Sequence, residues 1–448
     1  MEEKKINNNH TTGNSSPSSG DLQSLFSRAF TSHQSGDFVE AEQLYGLVLA
    51  QRPDNVNLLC NMGILCRDMG KHDAALLYIK RARDIDPGNP LIYLNLGAVH
   101  EAEGDLNQAE TSYRKALLGA PMDPRIMNNL GKVLHMQGKL DEGLEFLQQA
   151  VRLMPDYPLA LNNLGVVLSA LGRTEEAVVC FKKAHDGNPD DCDILFNLAG
   201  AYNAVENFKD ARVCYEKTLF INPQHDSARH MLCSLTGGRS GCAPASYVID
   251  TFDRYAHRFD SHLTEKLEYR IPQKLREALL GAAGDRFFTN GLDLGCGTGL
   301  SGQAFQELAE KLTGVDLSTK MLQKAAGKNI YHRLVSEDVV AFLKSCDELF
   351  DLVIAADLFI YIGELDRLFQ MVHDRTSDDA FFVFSIERAE DGCRDYELRV
   401  SGRYAQSIVY IERLAEEFGF VIDGNLEENI RKEQGKWIGG NIFVLRKG

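Results

Sequence analysis

Proline recurs at Pro53, Pro87, Pro121, Pro155, Pro189 and Pro223, each 34 residues after the one before. Glycine keeps the same interval at Gly63, Gly97, Gly131 and Gly165, and again at Gly36, Gly70, Gly104, Gly138 and Gly172. Small residues follow in phase at Ala41, Ala75, Ala109, Gly143, Ala177 and Ala211. Four positions beyond each stands Tyr45, Ile79, Tyr113, Leu147, Phe181 or Tyr215. This spacing describes a helix–turn–helix unit. Small residues let paired helices approach, glycine ends the first helix, and proline closes the second. Such a unit buries its apolar face only against its neighbours, so the first half is expected to be an all-α solenoid.

The pattern resembles the tetratricopeptide repeat (TPR), whose period is the same. Six units and a capping helix, DSARHMLCSL (226–235), account for residues 22–235, after a polar tail at 1–21 that is expected to be disordered. A solenoid of this kind offers a concave groove and no catalytic centre of its own. One groove position carries Asn61, Asn95, Asn129, Asn163 and Asn197 in successive units, with Ser27 in the first. These amides either bond the main chain of an extended peptide or support neighbouring turns. In the first reading they are similar to the asparagine ladder of the enzyme that attaches N-acetylglucosamine to Ser and Thr.

The register ends at TGGRSGCAPA (236–245), a linker rich in turn formers. Beyond it, short apolar strands at 289–294, 312–316, 331–335, 350–355 and 380–386 alternate with helical runs at 299–310, 318–326, 337–345, 364–374 and 406–418. Alternation predicts a doubly wound, mainly parallel α/β sheet over residues 246–448. VIDG (421–424) and NIFVLRK (441–447) can close it as an antiparallel hairpin.

GLDLGCGTGLSG (291–302) then occupies the first strand-to-helix turn, where such folds bind ligands. Gly297, Gly299 and Gly302 satisfy the GxGxxG dinucleotide spacing. Asp293 opposes that reading, because its charge faces the loop where a pyrophosphate would sit. A phosphate-free ligand with a cationic amino-acid end, such as S-adenosylmethionine (SAM), suits it better. Asp316 in TGVDLS can accept from ribose hydroxyls. Asp338, or its neighbour Glu337, can accept from the adenine amine, and Leu317 and Met321 can pack on the adenine face.

LDLGCGTG followed by VDLS resembles the class I SAM-dependent methyltransferases. The resemblance implies a Rossmann-like seven-stranded sheet with a reversed final strand, and SAM held by Asp293, Gly295, Gly297, Gly299, Asp316 and Asp338. More closely, FDRYAHRFDSHLTEKLEYRIP, DLVIAADLFIYIGEL and SGRYAQS are similar to bacterial-type predicted methyltransferases that carry TPR units first. Tyr255 and Phe259, one helical turn apart, either cover the cofactor or pack on the sheet. Asp357, just past the fourth strand, orients the acceptor or takes its proton, or else caps a helix. Arg403 and Tyr404 in SGRYAQS are placed to close over the acceptor. Gln406 stands where comparable chains tend to carry His, and it does not titrate, so it cannot serve as a base.

A net charge of −16 argues against a nucleic-acid or anionic-membrane binder. Ten cysteines without CxxC pairs argue against zinc and for free thiols in a reducing, cytoplasmic setting. The start of the chain lacks a signal-peptide core. AADLFIY is not the proline-rich motif used on base or glutamine nitrogens, and paired glutamates of the arginine-methylating kind are absent. The expected activity is SAM-dependent methyl transfer with the TPR groove recruiting a protein or peptide. An adaptor with a sensor-like or degenerate SAM domain, and a small-molecule methyltransferase with repeats used for oligomerisation, are the alternatives.

Overall fold

The computed structural model describes residues 19–238, 240–256, 259–261, 268–433 and 436–448, and only the backbone of Ser19, Arg254, Tyr255, Ser261 and Glu433. Most of the expected tail lies outside these residues. The chain divides into two compact units, one ending at Asn163 and one running from Leu164 to Gly448.

In the first unit, Val56–Asp68 pairs with His72–Ile85, Pro90–Ala102 with Leu106–Gly119, and Pro124–Met136 with Leu140–Leu153. The in-phase residues meet across each pair. A Cβ on Gly63 would lie 2.3 Å from Ile79, on Gly97 2.4 Å from Tyr113, and on Gly131 2.6 Å from Leu147. The large residue of one helix therefore fills the place vacated by the glycine of the other, which couples the two sequence periods. Asn55, Asn89 and Asp123 cap the first helices through their side chains.

The second unit begins with further helical hairpins, Cys192–Ala204 with Phe208–Ile221 among them, and the helix Asp226–Thr236. The segment read as a linker is pinned in place. Ala243 donates its N–H to the Tyr361 carbonyl (2.9 Å), and the N–H groups of Gly363 and Glu364 donate to the Gly241 carbonyl (2.9 and 2.8 Å).

The strands are β1 (Phe288–Leu294), β2 (Ala309–Asp316), β3 (Arg333–Ser336), β4 (Phe350–Ala355), β5 (Thr376–Glu387), β6 (Tyr396–Leu398), β7 (Tyr404–Gln406), β8 (Phe420–Glu433) and β9 (Lys436–Lys447). Seven form one sheet in the order β3-β2-β1-β4-β5-β9-β8, parallel from β1 to β5, with β9 antiparallel to both neighbours. Both faces are covered. Val353, Phe382 and Phe384 join one core, while Leu352, Ile354, Phe381 and Val383 join the other. That is the period of two expected of strands buried on both sides.

Three elements differ from the sequence reading. The helix expected at 299–310 stops at Phe305, because Ala309 and Lys311 pair with Phe288 and Asn290 of β1. The closing hairpin is far longer than VIDG and NIFVLRK. Bulges at Ile422/Gly424 and Asn429/Arg431 let a charged stretch continue as β8. SGRYAQS is no open loop, since Tyr404–Gln406 is β7 paired with β6.

Candidate functional site

The order of strands reverses at β1 and β4, so a crevice opens at their carboxyl ends. A cavity of about 1260 Å³ lies there, lined by Gly295–Thr298, Asp316, Leu317, Asp338, Asp357, Arg403 and Arg431, among others. Phe252, Phe259 and Tyr361 add aromatic surface to its wall. Their rings pack at 5.8 Å (Phe252–Phe259) and 5.3 Å (Phe252–Tyr361).

The glycines after β1 are required for different reasons. Gly295, Gly297 and Gly299 have φ of +70°, +53° and +90°, so the chain turns through left-handed conformations that other residues rarely adopt. A Cβ on Gly295 would lie 3.1 Å from Leu358, and one on Gly299 3.1 Å from Tyr331. On Gly302 it would lie 2.5 Å from the Tyr331 hydroxyl. On Gly297 it would meet nothing nearer than Phe259 at 4.0 Å. Gly297 alone of the four leaves its missing side chain's space open, and it lines the cavity, whereas Gly299 does not.

Asp293 is fully buried and lies behind the loop instead of on the cavity wall. Its Oδ2 accepts from the Tyr331 hydroxyl at 2.6 Å, and its Oδ1 has no hydrogen-bond partner among the described residues. Burial pushes this carboxyl up to about 7, with the Tyr331 hydrogen bond opposing the rise. The expected direct contact between this carboxylate and a ligand is therefore corrected: Tyr331 shields one oxygen. Met321 is likewise fully buried in Thr319–Gly327 and does not line the cavity, whereas Leu317 does.

Asp316 closes the loop. Its Oδ2 accepts from Gly297 N–H (2.9 Å) and its Oδ1 from Ser318 N–H (2.8 Å). Each oxygen has a second lone pair, so both remain able to accept from a ligand. Burial pushes Asp316 up, against these backbone bonds. Asp338 caps Val339–Ser345, its Oδ1 accepting from the Val340 and Ala341 N–H groups at 3.0 Å. Of the two acids after β3, Asp338 lines the cavity and Glu337 does not.

Asp357 has φ of +53° and caps no helix, because Leu358 holds that position before the short 3-10 turn Phe359–Tyr361. Its N–H donates to Ser385 Oγ (2.9 Å), whose hydroxyl donates to Asp357 Oδ1 (3.0 Å). Arg431 Nη1 lies 3.4 Å from Asp357 Oδ2, and Arg431 Nη2 is bonded to Glu387. Arg399 holds the other Glu387 oxygen at 3.2 Å. Burial pushes the Asp357 carboxyl up, and the Arg431 guanidinium and the Ser385 hydroxyl counter it. The result is a fixed chain of charges at the cavity floor.

Arg403 lines the cavity, but Tyr404 is fully buried, with its ring 5.9 Å from Tyr396 and 6.0 Å from His230, so the expectation that it covers an acceptor is corrected. Gln406 is also buried, and its amide donates to the Phe359 and Ile362 carbonyls (2.8 and 2.9 Å). Phe259 is on the wall, while the side chain of Tyr255 lies outside the described residues.

Sequence reasoning missed Tyr331, Ser385, Glu387 and Arg431. Arg431 sits in the charged run ENIRKEQ, which carries no strand pattern, and nothing in YHRLV marks a tyrosine that must thread between glycines.

In the repeat half, Asn163 donates its amide to Asn128 Oδ1 (2.8 Å), and Asn128 donates to Asn129 Oδ1 (3.0 Å). Asn95 is buried, and Asn61, Asn129, Asn163 and Asn197 are half-buried. Part of the amide capacity is therefore used internally. Among the described residues no cluster of three His, Cys, Asp or Glu is arranged to hold a metal. No described helix is long and apolar enough to cross a membrane.

Residues 67–130 and 123–190 match the tetratricopeptide repeat, and residues 292–378 match a methyltransferase domain. An uncharacterized protein of Haemophilus influenzae is 33% identical over 113 residues, which cover 23% of this chain and 43% of that protein. The malonyl-acyl-carrier protein O-methyltransferase of Salmonella typhimurium is 32% identical over 105 residues, covering 23% of this chain and 39% of the enzyme. The chain thus spans less than half the length of these curated relatives. The N-methyltransferase NodS of Bradyrhizobium japonicum, solved with S-adenosylhomocysteine, superposes with a TM-score of 0.37 at 17% identity, covering 45% of this chain and 98% of NodS. In sequence and fold, the chain carries tetratricopeptide repeats followed by a Rossmann-like methyltransferase domain, the kind that takes its methyl group from SAM.

Proposed function

We propose that this chain is a SAM-dependent methyltransferase whose repeats recruit the protein that it methylates. One observation carries the cofactor reading: Gly297 leaves an open cradle on the cavity wall, and its N–H is held by the Asp316 carboxylate at 2.9 Å. A backbone cradle beside an acid suits a ligand with an amino-acid end and a ribose. SAM supplies a methyl group activated on a sulfonium. Asp316 would accept from the ribose hydroxyls, Asp338 from the adenine amine, and Leu317 would pack against the adenine ring. The main chain of Gly295–Thr298 would hold the amino-acid end.

Asp357, fixed by Ser385 and Arg431, is placed to orient an acceptor. The aromatic wall of Phe252, Phe259 and Tyr361 excludes water. Alignment and dehydration supply much of the acceleration in such a transfer, so a strong base is not required. The repeats offer Asn129 and Asn163 to a peptide main chain through the hydrogen-bonding capacity that Asn128 leaves unused. Ten free cysteines suit a reducing, cytoplasmic setting.

Methyl transfer from tritiated SAM into cell lysate, split into protein and small-molecule fractions, tests this reading. Label should enter protein, and the Asn129→Ala, Asn163→Ala double variant should transfer less while retaining cofactor affinity. Label confined to small molecules would contradict recruitment. Cofactor binding with no transfer to either fraction would favour a sensor.

A further inference from the structure

The cavity has a wall that the methyltransferase strands do not supply. Asn203, Ala204, Glu206 and Phe208, from the turn of the sixth helical hairpin, line it. This turn is fastened to the segment carrying Arg403. Asn203 Nδ2 donates to the Val400 carbonyl at 3.0 Å. The buried His230 ring meets the Gly402 carbonyl at 2.8 Å. A Cβ on Gly402 would come within 2.7 Å of Met231 Sδ and 2.9 Å of the Tyr247 hydroxyl, so the two segments seat flush.

At the equivalent turn position, five earlier units carry Gly36, Gly70, Gly104, Gly138 and Gly172, with φ between +72° and +83°. The sixth keeps the left-handed conformation, φ +59°, but places a glutamate there. That backbone is strained for any side chain, and strained residues concentrate at functional sites. Glu206 is exposed to the cavity, and none of the described residues forms an ion pair with its carboxylate. Phe208 stands two residues on, and Phe252 and Tyr361 line the same cavity. Carboxylates attract cations directly and ring faces attract them through their quadrupole. The charge of Arg403 bears on Asp357 and Tyr247. Arg367 and Lys436 reach the wall from other elements, so the effect of Glu206 must be read by changing that residue alone.

We propose that the sixth repeat completes the acceptor side of the cavity, and that Glu206 selects an acceptor that arrives as an ammonium group on an apolar stem. The ammonium loses one proton to water, and the freed nitrogen lone pair attacks the methyl carbon as the sulfonium S–C bond breaks, leaving S-adenosylhomocysteine and a methylated ammonium. This rests on the methyl-transfer reading of the cavity. The same chemistry belongs to a free alkylamine and to a lysine side chain.

Ligand-observed NMR titration of the full chain, with and without S-adenosylhomocysteine, tests it. The probes are n-hexylammonium, n-hexanol, hexanoate and acetyl-Ala-Lys-Ala-amide. Hexylammonium should bind roughly tenfold more tightly than hexanoate, with hexanol between them. In Glu206→Gln and Glu206→Gly that ratio should fall to about twofold or less, with the affinity for S-adenosylhomocysteine unchanged. Glu206→Gly restores the residue of the other five turns, so its melting temperature should not fall; a lost preference then reflects the side chain and not misfolding. Tighter binding of the lysyl peptide than of hexylammonium identifies a protein lysine as the source, and the reverse identifies a free amine. An unchanged ratio in both variants, or a wild-type preference for hexanoate, overturns the assignment. Failure of S-adenosylhomocysteine to bind, with the ammonium preference still dependent on Glu206, would overturn the methyl-donor reading and leave Glu206 in place.

Discussion

Tyr331 donates its hydroxyl to Asp293 Oδ2 across 2.6 Å, and its ring fills the space that Gly299, Gly302 and Gly314 leave open. Tyr331 Oη also accepts from Gly302 N–H at 3.2 Å. Two glycines that look like ligand contacts are therefore there for a tyrosine, which ties β2 and the helix after the loop to the end of β1.

Substitution should separate the two roles. In Gly302→Ala the new methyl meets the Tyr331 hydroxyl, and about 1–3 kcal/mol of stability should be lost in urea melts. In Gly297→Ala the methyl enters the cavity and the positive φ costs about 1–2 kcal/mol, while SAM affinity should fall by roughly tenfold or more. Equal affinity losses at similar stability would show that the two glycines serve one purpose.

Tyr331→Phe keeps the ring and removes the hydroxyl. The buried Asp293 carboxyl and the Gly302 N–H then both lose a partner, and about 1–3 kcal/mol should be lost. Melts of the variant against wild type measure this. No difference would mean that water replaces the phenol.

Asp293 also sets a pH dependence. Its folded value of about 7 lies above its ordinary 3.8, so between them the native state holds a proton that the unfolded chain has released. Its contribution to stability is full below about pH 4 and is lost as pH rises through about 7, on the order of a few kcal/mol in total. Asp293→Asn should flatten this part of the stability–pH curve while Asp316 and Asp357 still contribute. A curve parallel to wild type would remove the assignment.

The repeat half was legible because one residue type at one position answers one steric need in four successive units, as Gly97 and Tyr113 show. The sheet was legible where strands are buried on both faces, as in DLVIA and AFFVFSI. It was not legible in β8, where polar residues are held by pairing with β9, nor in the first residues of β2. At the site, Gly297, Asp316 and Asp338 could be picked out because loop chemistry demands them locally. Arg431 and Tyr331 act across the fold, over 74 residues to Asp357 and 38 to Asp293, and no local pattern encodes such distances.

The most direct measurement is calorimetric titration of the full chain with SAM, in wild type and in Asp316→Ala. Wild type should bind with one site per chain. Asp316→Ala should lose binding by roughly a hundredfold or more while its repeat half melts as before. No binding by the folded wild type, or undiminished affinity in Asp316→Ala, would contradict the assignment of this cavity to the methyl donor.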